Sequence, residues 1–175
     1  MNWTGQPVNI ASNLHYKAAL IALASLLPIG HAHAATTVIQ ANAKIVKSLT
    51  LTAKQSLDFG TITLSGTPGT ITVGVSMAGA LSCPTGATCA GAARPAILNV
   101  QGSNAQIVRI TVANANLVNA ADGSSIPFTP EAPATILLTN SGAPGKDFNV
   151  GGSIAVPQTA DGTYSGNVEV TVEYQ

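Results

Sequence analysis

The chain has 175 residues, of which 8% are charged, with seven basic residues against seven acidic ones. That balance excludes the basic density needed to neutralise nucleic-acid phosphates, and no polybasic segment marks a membrane surface. Ala, Thr, Val, Gly, Asn and Ser are frequent while Lys and Glu are scarce, a composition that favours strands and turns over long charged helices.

Residues 1–34 read as a secretory signal peptide. Lys17 supplies the positive charge, Ala18 to Gly30 the apolar run, and Ala32-His33-Ala34 the small-x-small cleavage site. The apolar run contains Pro28 and is too short to cross a bilayer core of roughly 30 Å. Cleavage after Ala34 would leave residues 35–175, suited to a single domain with no membrane span. It would also remove His15, His31 and His33, every histidine in the chain, together with Trp3 and Lys17.

After Ala35 the pattern is of period two. Ile39, Ala41, Ala43 and Ile45 alternate with Gln40, Asn42 and Lys44, and Leu49 and Leu51 continue the alternation. Ala53 to Ser56 reads as a turn. Leu57 to Leu64 is the next strand, with Gly60 as a candidate bulge. Gly66 to Gly69 turns the chain, and Ile71, Val73 and Val75 mark a further strand. Residues 76–93 read as a small-residue loop that holds Cys83 and Cys89.

Ala96–Val100, Ile107–Val112 and Ala134–Thr139 are the following strands. Between the last two, residues 113–133 form a long uneven segment with a turn signal at Ala121-Asp122-Gly123. Phe148, Val150, Ile154 and Val156 mark a strand, or a pair interrupted at Gly151-Gly152. Asp161-Gly162 then leads into the last strand. There Val168, Val170, Val172 and Tyr174 point one way, and Asn167, Glu169, Thr171, Glu173 and Gln175 the other. The expectation is an all-β, immunoglobulin-like sandwich of about seven to nine antiparallel strands.

The chemistry is sparse. Cys83 and Cys89 are expected to form a local disulfide in an oxidising compartment, since a structural zinc site would want about four Cys or His ligands. No histidine is left to act as a general base. Glu169 and Glu173 share a strand face but would lie roughly 13 Å apart, too far for a paired-carboxylate glycosidase. Asp58, Asp122, Asp147 and Asp161 sit in turn-like places, with a weak Ca²⁺ site at Asp122 as the rival reading. Phe59, Phe128, Phe148, Tyr164 and Tyr174 fit a core better than an exposed ligand platform. No catalytic, cofactor or metal residues are assigned, and no enzyme activity is expected.

Several motifs in order carry a family resemblance. Leu57-Asp58-Phe59-Gly60, Gly91-Ala92-Ala93-Arg94, Leu138-Thr139-Asn140, Phe148-Asn149-Val150-Gly151-Gly152 with Pro157, and Gly162-Thr163-Tyr164-Ser165-Gly166 together resemble a bacterial exported family, the domain of unknown function 4402, over residues 37–175. The C-terminus is also similar to that of chaperone–usher pilus subunits. Gly162 stands fourteen residues from the end, an alternating Val168/Val170/Val172 series follows, and Tyr174 is penultimate. That likeness implies a pilin-like sandwich lacking one strand, completed by a segment donated from a neighbour, with a periplasmic chaperone holding the edge beforehand.

In that reading Gly162, Tyr164, Val168, Val170, Val172 and Tyr174 belong to the assembly strand, and Ile39, Ala41, Ala43 and Ile45 form the donated face. The expected partners are further copies of the chain or other surface subunits of a fimbria, and the expected location is the periplasm, cell surface or medium. Two alternatives stay open. Residues 39–45 could be the domain's own first strand, and the protein could be a self-complete adhesive or ligand-binding module.

Overall fold

The computed structural model describes residues 34–66 and 68–175. The signal-peptide reading, with Lys17, the three histidines and Trp3, lies outside the described residues apart from Ala34. The chain divides into Met1–Asn42 and a compact unit, Ala43–Gln175. Within the first, residues 34–42 form no regular element and are exposed.

Among its described residues the compact unit has thirteen strands and no helix. The first six are β1 (Thr50–Gln55), β2 (Thr61–Leu64), β3 (Thr70–Val75), β4 (Leu81–Ser82), β5 (Ala87–Ala90) and β6 (Ala96–Gln101). Then come β7 (Ile107–Val112), β8 (Ala115–Asn119), β9 (Ser125–Glu131), β10 (Thr135–Leu137), β11 (Lys146–Pro157), β12 (Tyr164–Ser165) and β13 (Val170–Tyr174). All pairings are antiparallel, so the all-β sandwich is as expected, built from more and shorter strands.

The central strand is β11, twelve residues long. Its first half, Lys146–Val150, pairs with β6, and β6 pairs with β1. Its second half pairs with both β3 and β9, and β9 continues to β8 and β12. Gly151-Gly152 marks the changeover. The strand is continuous there and not interrupted, because the glycines let other backbone approach: a Cβ at Gly151 would collide with the Val75 carbonyl.

Two apolar clusters fill the interior. The first sets Leu98, Val100, Phe148 and Val150 of β6 and β11 against Val108 and Ile110 of β7, with Leu138 beside them. Leu49, Leu51, Val170, Val172 and Tyr174 pack around its margin. The facing sheet is β10-β7-β13. The second cluster, Val73, Ile126, Phe128, Ile154 and Val156, lies under the small β2-β5 sheet and the Leu57–Phe59 stretch.

Four readings of the chain are corrected. Residues 39–45 form no strand, and all are exposed, Ile39 at 85% and Ile45 at 91%. The domain's own first strand is therefore β1, which continues through Ala53–Gln55, where a turn was expected; Ala53 and Gln55 pair with Leu98 and Ile97 across a register shift. The cysteine loop holds β4 and β5, and the uneven segment holds the β8–β9 hairpin, turned at residues 120–124. Those stretches are rich in Ala, Asn, Ser and Pro, and partners across the sheet make them strands despite weak propensity.

Candidate functional site

The C-terminal strand shows the expected alternation. Val170, Val172 and Tyr174 pair in register with Val112, Ile110 and Val108 and pack on the first cluster. Val168 precedes the strand and packs on the second cluster. Glu169, Thr171 and Glu173 are exposed. In its sheet β13 stands at the end and pairs with β7 alone. Among the described residues the β2 strand likewise pairs only with β5.

Between these edges runs a groove of about 950 Å³. One wall is Leu57, Phe59, Ile62 and Leu64; the other is Tyr164, Val168 and Val170. The floor is Ile126, Phe128, Ile154 and Val156 from β9 and β11. Phe128 is 1% exposed and meets Phe59 edge-to-face, with ring centroids 6.2 Å apart at 76°. The Phe128 ring lies over Gly152, where a Cβ would come within 2.5 Å of it. Among the described residues no strand lies in the groove.

Of the motifs that carried the family resemblance, Leu57–Gly60 and Gly162–Gly166 line the groove, and Arg94 reaches the first of them. Asp58 and Arg94 form an isolated antiparallel bridge, with backbone hydrogen bonds of 2.9 and 2.8 Å and side chains 3.7 Å apart. The Gly60 amide donates to Asp58 Oδ1 at 2.9 Å in a tight turn with φ +73°. A Cβ there would stand 2.5 Å from the Ala90 carbonyl oxygen, so the corner needs glycine. Across the groove, Gly162 has φ +100° and abuts the Asn119 side chain, whose amide donates to the Asp161 carbonyl at 3.0 Å.

Cys83 and Cys89 are joined in a disulfide, with Cα atoms 5.9 Å apart. Cys89 pairs with Ile62, so the bridge supports the strand behind one groove wall. Gln158 ties down the ends of β2 and β5, accepting from the Gly66 amide and donating to the Gly86 carbonyl.

Tyr174 occupies the opposite end. Its hydroxyl accepts from the Ser103 amide at 2.8 Å and donates to the Lys47 carbonyl at 2.7 Å. The Lys47 amide in turn donates to Ser103 Oγ at 2.7 Å. Gly102 is buried beneath them; a Cβ there would collide with the Tyr174 hydroxyl, Leu138 and Leu49. Sequence reading did not single out Lys47, Gly102 or Ser103. Gly102-Ser103-Asn104 is a turn signal, but nothing local says that the turn receives the last tyrosine.

Asp58, Asp122, Asp147 and Asp161 each accept hydrogen bonds through their side chains. Asp122 Oδ1 accepts from both the amide and the hydroxyl of Ser124, which lowers its pKa and closes the β8–β9 turn. Asp147 accepts from Lys54 and Asn99, which lowers its pKa as well. Among the described residues no helix is long and apolar enough to cross a membrane.

No curated protein and no solved structure matches the chain. A family model does match, over residues 49–174, a span that begins just before β1 and takes in all thirteen strands, both groove walls and Tyr174 with Ser103. The chain therefore belongs to the bacterial family described as Domain of unknown function (DUF4402).

Proposed function

We propose that the protein is an exported, non-enzymatic structural subunit of pilin-like type, whose groove accepts a β-strand from another chain. The observation that carries this reading is the groove of about 950 Å³ with an apolar floor, bounded by β2 and β13, each of which pairs on one side among the described residues. An added strand would supply main-chain hydrogen bonds to an edge, while alternate side chains fill the groove. Ile39, Ala41, Ala43 and Ile45 of a second copy are the donor face; in the single chain they form no strand and are exposed. A periplasmic chaperone would shield the same edge before assembly, since open apolar edges otherwise aggregate. The disulfide suits an oxidising compartment, and periplasm or cell surface is the proposed location.

A peptide of residues 37–46 tests the reading directly. At a hundred times its Kd it should raise the unfolding free energy of a chain lacking residues 35–45 by about 2.7 kcal/mol. The complete exported chain should form SDS-resistant ladders, and the shortened one should not. Monomers at high concentration, with no ladder and no thermal shift on adding peptide, would refute strand donation. If such a monomer bound saturably on a glycan array, the adhesive-module reading would replace it.

A further inference from the structure

We infer that Tyr174, Ser103 and Lys47 form a clamp that holds the base of the N-terminal segment at the closed end of the sandwich and denies that segment to the protein's own groove. The clamp stands on the hydrogen bonds alone; its meaning for assembly rests on the strand-donation reading above.

Both main-chain groups of Lys47 are taken: its amide donates to Ser103 Oγ and its carbonyl accepts from the Tyr174 hydroxyl. The Ser103 amide completes the ring of contacts on the same hydroxyl. Gly102, with no room for a side chain, brings the Ser103 turn against the tyrosine. At this end Leu49, Leu51, Val172 and Tyr174 close the sandwich by packing on the first apolar cluster. The groove begins further along, with Ala53 on one side and Val170 on the other, and runs to Leu64 and Tyr164.

The chain enters β1 from Lys47 and runs toward the groove, so a segment preceding Lys47 must reverse to reach it. From Lys47 to the groove mouth at Ala53 is roughly 20 Å, about six residues at ~3.3 Å each. A reversal takes about four more. With cleavage after Ala34, the site read from the sequence, residues 35–46 number twelve, so about two would remain to enter a groove whose wall extends from Ala53 to Leu64. With Lys47 released, the pivot moves toward β1 and that deficit shrinks. The clamp thus favours donation to another molecule over closure on itself.

Trypsin offers the test, because Lys44 and Lys47 stand on either side of the point where the clamp begins. A protease takes its substrate as an extended strand and needs the backbone groups at the cut to be free. In dilute native protein, cleavage after Lys44 should be fast and cleavage after Lys47 at least about tenfold slower, the scale expected for hydrogen bonds that must first break. Tyr174→Phe should bring Lys47 cleavage up by about tenfold, and Ser103→Ala should move it in the same direction, with Lys44 cleavage unchanged. Far-UV circular dichroism of each variant checks that the sandwich is intact. Resistance at Lys44 in the dilute monomer would mean the segment lies in its own groove and would overturn the inference. Equal rates at Lys44 and Lys47 in the unaltered protein, or no change in folded Tyr174→Phe, would overturn it too. Absence of SDS-resistant ladders at high concentration would refute strand donation and leave this cleavage pattern as it stands.

Discussion

Replacing Phe128 with Ala probes the floor of the groove and the second apolar cluster together. The side chain is 1% exposed, it meets Phe59 edge-to-face, and its ring lies over Gly152. Truncation removes roughly 120 Å² of buried apolar surface, worth about 3 kcal/mol at ~25 cal/mol per Å². Loss of the aromatic pair adds about 1 kcal/mol. Gly152 has no side chain to move into the space, so little of the cavity closes. The expected destabilisation is about 4 kcal/mol, a large share of the roughly 5–15 kcal/mol that holds a domain together. Urea unfolding followed by far-UV circular dichroism reads it as a midpoint lowered by about 2 M, for an m-value near 2 kcal/mol/M. Leu137→Ala, at a side chain 53% exposed, is the control and should change stability by less than about 0.5 kcal/mol. A loss below about 1 kcal/mol at Phe128 would refute this packing and, with it, the groove floor.

Acid should weaken the fold in a direction set by Asp147. Lys54 and Asn99 lower its folded pKa below the ordinary 3.8, so its contribution is full above that value and is lost as pH falls through the folded one. Asp147→Asn should flatten the fall in urea midpoint between about pH 5 and pH 2; a residual slope from Asp122, lowered by Ser124, should remain. Cys83→Ser with Cys89→Ser should cost about 2 kcal/mol, from the short loop that the bridge closes at a sequence separation of 6, with hydrogen exchange rising first in β2 and β5. Gly102→Ala should lower stability by about 1–3 kcal/mol in thermal unfolding, because its methyl would overlap Leu49, Leu138 and the Tyr174 hydroxyl.

Which side chains face inward is legible in the sequence itself. Val73 and Val75, Val108 and Ile110, Phe148 and Val150, and Val170, Val172 and Tyr174 each announce a face by alternation; Val75 is buried, and the others pack into or against an apolar cluster. The β7 boundaries, Ile107 and Val112, are readable because the strand is dense in β-branched residues and stands between turn signals. The cysteine pair is readable because its spacing leaves only a short loop to close. By contrast, β4, β5, β8 and β9 are hidden in small and polar residues whose strand character depends on partners across the sheet. Residues 39–45 carry the same alternation as true strands and yet form none, since period two says where side chains would point and nothing about whether a partner is present.

The candidate site follows the same division. Sequence alone determined that the chain is a β protein, that its end is a strand with Val170, Val172 and Tyr174 turned to a core, and that Gly60 and Gly162 sit at breaks in the strand pattern. Only the tertiary structure decided that β13 has, among the described residues, a neighbour on one side alone, that residues 57–64 and 160–170 face each other across a groove with an apolar floor, and that Tyr174 reaches back to Lys47. The physical reason is that side-chain pattern is written locally, every second residue, whereas a strand's edges are satisfied by backbone from elsewhere. The alternation by itself does not say which strand stands at an edge.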